Sequence, residues 1–316
     1  MPLPAGWPEP RRLFLPHTLT LPDSEVEVEV GIGIPVYNGA ATLSLVLEQL
    51  TSQTHRKLAI VISDNNSTDA TPTICAEWAA RDPRIRYVRR SRSVSPTENF
   101  TLVLGHCASP YFMWAAHDDF RDPDYIEKLL AALRARPDAI LAFGDIVAIY
   151  TDGRVEPFPL DFATEGHSAA ARLRRVAMSP LHHLYGLWRT DALTCISWRH
   201  VDWWHDMPLM MAASQLGEII HVPDVKFYYK NNAHPFFVWF DREADGRGVV
   251  RGLAHWSRRV GDLSLLVWRS GCTVGQVAGT GRGLQAAGWA CAKIGMQAVG
   301  FLWRRRCGRI VGPVPH

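Results

Sequence analysis

Lysine is scarce in this 316-residue chain: of 34 basic side chains only five, at 57, 128, 226, 230 and 293, are Lys. Positive charge therefore rests on arginine, whose planar fork binds two oxygens at once and suits phosphate. A general compositional preference for Arg gives the same count. Charge of one sign is lacking too: 34 basic against 31 acidic residues leave a formal net charge of +3, far from the footprint of a dedicated nucleic-acid binder. No nucleic-acid partner is expected. Six cysteines, at 75, 107, 195, 272, 291 and 307, form no Cys-x-x-Cys pair, which argues against a zinc knuckle, a redox dithiol and a disulfide scaffold. No apolar run reaches the roughly 18 residues of a membrane span, and the Pro-rich opening MPLPAGWPEPRRLFLPHTLTLP lacks the apolar core of a secretion signal. A reducing, cytoplasmic setting is the expectation. What is present is ordinary globular composition, 47% hydrophobic and 21% charged, long enough to bury a core without staples.

Residues 1–24 read as an irregular arm. From Glu25 to Pro35 (EVEVEVGIGIP) strict alternation turns fully apolar, as in a strand entering a buried sheet. Helical spacing follows over 40–53, carried by Leu43, Val46, Leu47 and Leu50. The pattern then predicts strands over 58–63, 85–89, 111–115 and 139–149, with helices over 69–80, 99–107 and 122–136 between them. Strand and helix alternate five times with short connections, which argues for a parallel, doubly wound α/β sheet. Helices are also expected over 168–178, 206–215 and 284–306.

In such sheets ligands bind beyond the carboxyl ends of the strands. Four polar clusters lie just there: Pro35-Val36-Tyr37-Asn38-Gly39, Asp64-Asn65-Asn66-Ser67-Thr68-Asp69, Arg89-Arg90 through Asn99, and His117-Asp118-Asp119. Neighbouring strand ends are about 5 Å apart, so the clusters should line one crevice. Carboxylates, an aromatic ring and Arg gathered there suggest a nucleotide with phosphates and a divalent metal. Other readings stand beside this one. Asp64 is also a turn-forming residue in a turn-rich segment, Tyr37 is equally a core aromatic, and Asp118-Asp119 is also a helix cap ahead of Pro123.

The run IPVYNGAATL, then SDNNSTDAT, then YVRR with Asn99 downstream, then YFMWAAHDD, resembles glycosyltransferase family 2 over roughly Val30 to Pro235. The resemblance implies a GT-A fold: α/β, a doubly wound mostly parallel sheet with helices on both faces, here with a C-terminal helical extension. It implies a nucleotide-diphosphate sugar as donor, a UDP-sugar first, and Mn²⁺ or Mg²⁺ as cofactor. By this resemblance Pro35 and Tyr37 wall the base, Asp64 bonds base or ribose, and Arg89 or Arg90 contacts base or diphosphate. Asn38, Asn66 and Asn99 join the donor-nucleotide set. Asp118 faces the ribose and Asp119 binds the metal through oxygen. The common pattern has an Asp where this chain has His117, which leaves one carboxylate fewer.

The matching base segment is Asp202-Trp203-Trp204-His205-Asp206-Met207-Pro208, with Asp206 as the general base and His205 in place of the usual Glu. Asp202 is the rival base, and Asp206 as a plain helix cap is the alternative. Tyr185-Gly186-Leu187-Trp188-Arg189 resembles the segment that lines the acceptor pocket. Acceptor contacts are thus expected from Tyr185, Gly186, Trp188, Trp203, Trp204 and His205, and sugar stacking also from Phe236 and Trp239. His234, in VPDVKFYYKNNAHP, would complete the metal shell or meet the diphosphate, and Lys230 would meet phosphate. Transfer would invert the anomeric carbon and need no covalent nucleophile.

The division expected is 1–24 arm, 25–120 nucleotide-sugar half, 121–240 acceptor and base half, and 241–316 helical extension. Residues 284–306, apolar and ending in three Arg, suit either peripheral contact with the inner face of the cytoplasmic membrane or docking on the core. The first would fit a polyprenyl-linked acceptor, the alternative being a free saccharide. The His-Asp pairs 117–118 and 205–206 also invite a metal-dependent phosphohydrolase, and the two His replacements invite a nucleotide-sugar-binding module with a degraded site. A sugar-phosphate nucleotidyltransferase lacks its Gly-rich basic loop here. The reading preferred is an inverting sugar transferase in bacterial surface glycan synthesis.

Overall fold

The computed structural model describes residues 27–158, 162–179, 181–196, 206–231 and 270–292. Strand β1 (Val30–Val36) is buried over nearly its whole length and runs parallel to β2 (Leu58–Asp64) on one side and β4 (Tyr111–Trp114) on the other. Burial on both faces explains why its sequence is apolar without alternation. Beyond β2 lies β3 (Ile85–Arg89), again parallel. Register brings the strand ends level: Val36 pairs with Asp64, and Asp64 with Arg89.

Helices connect these strands. In α1 (Leu43–Thr51) the spacing of Leu43, Val46, Leu47 and Leu50 makes one buried face. Next, α2 (Thr71–Arg81) opens with Pro72 in its first turn and Asp69 accepting the Thr71 N–H at 3.0 Å. Helix α3 (Pro96–Gly105) starts three residues before the expected Asn99, because the Ser95 hydroxyl caps the Glu98 N–H. It presses so closely on β1 that a β-carbon at Gly33 would lie 2.6 Å from Val103.

The second half departs from a simple parallel succession. After the two-residue β5 (Phe120–Arg121) and α4 (Tyr125–Ala135) comes β6 (Ala139–Tyr150), with β7 (Val155–Pro157) folded back along it. Helix α5 (Ala169–Met178) and a 3₁₀ turn (His182–Tyr185) lead to β8 (Leu187–Arg189), α6 (Thr190–Thr194), α7 (Asp206–Leu216) and β9 (Glu218–Asn231). The sheet order is β3-β2-β1-β4-β8-β6-β9-β5. Three-residue β8 stands antiparallel between β4 and β6, so β6 is not beside β4 as unbroken alternation predicts. Strand β9 pairs parallel with β6 and antiparallel with β5. The result is mixed α/β around a mostly parallel central sheet, as expected.

Residues 270–278 and 280–292 are helical. Val274, Ala286 and Ala290 are buried against the body, and the Arg174 guanidinium of α5 lies 5.7 Å from the Trp289 ring. This part of the expected 284–306 helix therefore docks on the core, although Leu284 is 77% exposed. Residues 293–306 lie outside those described. Among the described residues no helix is long and apolar enough to cross a membrane.

Candidate active site

The first two polar clusters hold each other in place. Asn38, at φ 50°, takes the left-handed conformation that Asn tolerates best after Gly. Its side-chain oxygen accepts the Thr68 N–H at 2.9 Å, and its own N–H donates to Ser67 Oγ at 3.0 Å. Next to it, the Gly39 N–H donates to Thr71 Oγ1 (2.9 Å) and the Ala40 N–H to Asp69 Oδ2 (3.1 Å). A β-carbon at Gly39 would come within 2.7 Å of His117 Cδ2, so the imidazole lies directly over this turn.

Asp64 is fully buried. Its Oδ1 accepts the Ser67 N–H at 2.8 Å, its Oδ2 the Tyr87 hydroxyl at 2.9 Å, and Arg89 Nε stands 3.6 Å away. The turn-forming role is thus the one this side chain fills, and a base could reach it only by displacing Tyr87. Burial, then the bond to Asp64, pushes the Tyr87 phenol above its ordinary range. Asn66 adopts φ 62° at the crest of the turn. Its neighbour Asn65, absent from the expected site, grips the backbone of Val94 twice, at 2.7 and 2.9 Å, and so shapes the loop after Arg90.

Tyr37 is 51% exposed, which settles against core packing and leaves its ring free. Pro35 is partly buried at the end of β1. Arg89 reaches the Ser67 carbonyl at 3.1 Å with its side chain half exposed. Arg90 lies 3.6 Å from Glu98, with its Nε buried and unpartnered. Asn99 is a correction. Its amide is buried, donating to the Ser63 carbonyl (3.1 Å) and accepting from the Ser63 hydroxyl (2.6 Å), so it ties α3 to β2 and does not line the crevice.

The fourth cluster occupies the turn between β4 and β5. Asp119 is 2% exposed, and the Lys230 N–H at the end of β9 donates to its Oδ1 at 3.1 Å. Burial raises its carboxyl to about 7, with Asp118 adding to the rise while Arg121 and the Lys230 N–H oppose it. Lys230 therefore serves Asp119 through its backbone, and its side chain is exposed. Asp118 is partly exposed beside it.

Tyr185 is the last residue of the 3₁₀ turn. It stacks on Phe227 with ring centres 5.7 Å apart. Burial first, then the Asp119, Asp206 and Asp118 carboxylates, push its phenol above the ordinary range. Tyr229, in the run VPDVKFYYKNNAHP, has its phenol raised by burial, then by Asp119 and Asp118. Asp206, the first residue of α7, is partly exposed, and its Oδ1 accepts the Met207 N–H at 2.9 Å.

Two residues of the Tyr185–Arg189 segment turn away. Trp188 is 0% exposed: its indole N–H donates to the Leu184 carbonyl at 2.8 Å and its edge meets Trp114, so it is core and cannot touch an acceptor. Arg189 donates to the Ala139 carbonyl at 2.8 Å and clamps β8 to β6. A β-carbon at Gly186 would fall 2.2 Å from the Ala142 carbonyl, so glycine there serves a close approach of chains. Asp202, Trp203, Trp204, His205, His234, Phe236 and Trp239 lie outside the described residues.

The donors brought together are two adjacent carboxylates, and among the described residues no group of three or more His, Cys, Asp or Glu could hold a metal. That set fits a hard divalent cation that takes its remaining ligands from phosphate and water, the usual arrangement for Mg²⁺.

A family model described as Glycosyl transferase family 2 matches residues 32–188. An uncharacterised protein of Mycobacterium tuberculosis is 27% identical over 215 residues, which are 67% of this chain and 60% of that protein. This chain thus spans well under the full length of that curated relative. Among solved structures, S. aureus TarS 1–349 in complex with UDP is similar at a TM-score of 0.57 and 13% identity, covering 81% of this chain and 68% of that one. GalNAc-T7 with UDP, GalNAc and Mn²⁺ is similar at a TM-score of 0.50 and 12% identity, over 66% and 45% of the two chains. At such identities the likeness to both structures is one of fold.

Proposed function

Residues 32–188 belong to glycosyl transferase family 2, and from that premise we propose that this protein moves a sugar from a nucleoside-diphosphate donor, a UDP-sugar first, to a hydroxyl of a saccharide or polyprenyl-linked acceptor. The observation that carries the reading is the buried Asp119 beside Asp118 in the turn after β4, held by the Lys230 N–H, with an exposed Tyr37 just past the end of the neighbouring β1. UDP in the TarS and GalNAc-T7 structures supports the choice of donor base.

Each group has a task in this reading. Tyr37 stacks on the base, since every base offers a π-face. Arg89 stands over the turn that would receive the diphosphate. Asp118 and Asp119 hold Mn²⁺ or Mg²⁺, which when bound neutralises the leaving diphosphate. Asp206 takes the proton of the acceptor hydroxyl, a step that needs an approach of about 3 Å. Tyr185, in the segment that resembles the acceptor-pocket lining, orients the acceptor. Direct attack without a covalent nucleophile inverts the anomeric carbon. We extend the reading to bacterial surface glycan synthesis at the inner face of the cytoplasmic membrane.

Thermal melting with UDP, GDP, CDP and dTDP, each with and without Mn²⁺, tests it. A ligand at about 100 times its Kd stabilises by about 2.7 kcal/mol. A rise with UDP that requires Mn²⁺ and vanishes in Asp119→Ala is expected. Absence of a rise with all four diphosphates would sink the reading.

A further inference from the structure

Arg121 is as deeply buried as Asp119, at 2% exposure, yet no described carboxylate lies within ion-pair distance of it. It sits in β5, two residues beyond Asp119. Its guanidinium lies 5.0 Å from the Phe227 ring centre and 5.9 Å from that of Tyr125, a cation held by aromatic faces. One hydrogen bond is made, from Nη2 to the Trp114 carbonyl at 3.2 Å. Nε and Nη1 are buried without a partner. A buried charge left this sparsely bonded is costly, and apolar replacements of such charges are often neutral or stabilising. Packing alone would be served better by Met or Leu.

The place of that one bond is informative. Trp114 ends β4, and Arg121 is the last residue of β5. The bond therefore closes the turn 115–119, which carries His117, Asp118 and Asp119. The turn is fixed elsewhere by the Ala115 N–H on the Gly33 carbonyl (2.9 Å), by β5–β9 pairing and by the Lys230 N–H on Asp119. The Gln49 side chain of α1 donates to the Arg121 carbonyl. Arg121 spans the base of the turn through that bond to Trp114, and its positive charge acts on Asp119.

We propose that Arg121 is a positioning residue of the donor site: it fixes the Asp118–Asp119 turn through the Trp114 carbonyl and sets a buried cation near Asp119. The inference rests on the transferase reading for what the turn binds, not for the tether itself. Outer partners of metal ligands typically carry 10- to 100-fold of metal affinity.

The test uses the whole chain with Arg121→Met, close in shape and uncharged, and Arg121→Lys, which keeps charge but loses the fork. Three quantities are read: apoprotein melting, amide hydrogen exchange across 115–121, and UDP affinity with and without Mn²⁺. Arg121→Met is expected to melt within a few degrees of wild type. It should exchange faster across 115–121 and lose about 10- to 100-fold of Mn²⁺-dependent UDP affinity, with UDP alone unchanged. Arg121→Lys should fall between the two. Wild-type Mn²⁺ dependence and exchange in a folded Arg121→Met, with only its melting lowered, would reduce Arg121 to packing and overturn the proposal. If Arg121→Met fails to fold, Arg121→Lys decides: a protein matching wild type in both exchange and Mn²⁺ dependence overturns it equally. A wild type that binds no UDP under either condition ends the transferase reading, and the exchange arm still decides the tether.

Discussion

Around β1, β2 and β3 the functional motifs are bonded to one another over sequence separations of 29 to 32 residues: Asn38 to Ser67 and Thr68, Gly39 to Thr71, Ala40 to Asp69. Across β4, β9 and α7 the partners are farther apart. The Lys230 N–H that holds Asp119 lies 111 residues away, and α7, which begins at Asp206, is tied through Ser214 to Arg172 over 42 residues. In the first region two short loops define each other as soon as a parallel strand pair forms. In the second, the charged groups take their positions only once the sheet is complete. The first region is therefore a pre-shaped turn, while the second depends on long-range assembly and concentrates the unfavourable burial of charge.

If the two regions are separable, a lesion on one side should leave the other's binding intact. Asp206→Asn tests this with the largest effect. Loss of a general base is expected to lower kcat by about 10²- to 10⁴-fold, with UDP affinity in the absence of Mn²⁺ unchanged. An equal fall in UDP affinity would mean that the regions act as one unit.

Asp119 offers a smaller, pH-dependent break. Its carboxyl is raised to about 7 in the folded chain against an ordinary value of about 3.9. The folded state therefore holds a proton that the unfolded state has released. This stabilisation is complete below about pH 4 and is lost as pH rises through about 7. At about 1.4 kcal/mol per pKa unit, the apoprotein should be weaker by a few kcal/mol at pH 8 than at pH 4 on this account. Asp119→Asn removes the dependence, so its melting temperature should match wild type at low pH and exceed it at pH 8. Parallel curves for the two proteins would contradict the assignment.

The same contrast marks what was legible beforehand. Strand ends, the alternation of elements and the crevice itself follow from apolar runs closed by polar clusters, and level register confirms their alignment. Which polar side chain at a strand end turns inward does not follow. Asn99 and Asp64 have the composition of ligand residues, yet their bonds to Ser63, Ser67 and Tyr87 are complete within the fold. Trp188 and Leu187 are both buried in a three-residue strand too short to show a period. Tyr229 sits in the run VPDVKFYYKNNAHP, where no period tells it from Tyr228, and Arg121 carried no local signal, because an Arg among charged residues reads as surface. Asn65 had one, the second polar residue of Asp-Asn-Asn in a turn-rich run.

The smallest effects separate a residue that lines the crevice from one that builds it. Tyr37 is 51% exposed and makes no described hydrogen bond through its side chain. Tyr37→Ala should leave melting within about 0.5 kcal/mol of wild type and weaken UDP by the about 1–3 kcal/mol of a lost base stack. Asn99→Ala should do the reverse. It strands the Ser63 hydroxyl and carbonyl inside the protein, at a cost of about 1–3 kcal/mol in stability, while UDP affinity of the folded fraction holds. Paired denaturant melts and UDP titrations read both. Should Asn99→Ala lose UDP affinity while Tyr37→Ala keeps it, the crevice would be lined from α3 and the distinction drawn between the two residues would be inverted.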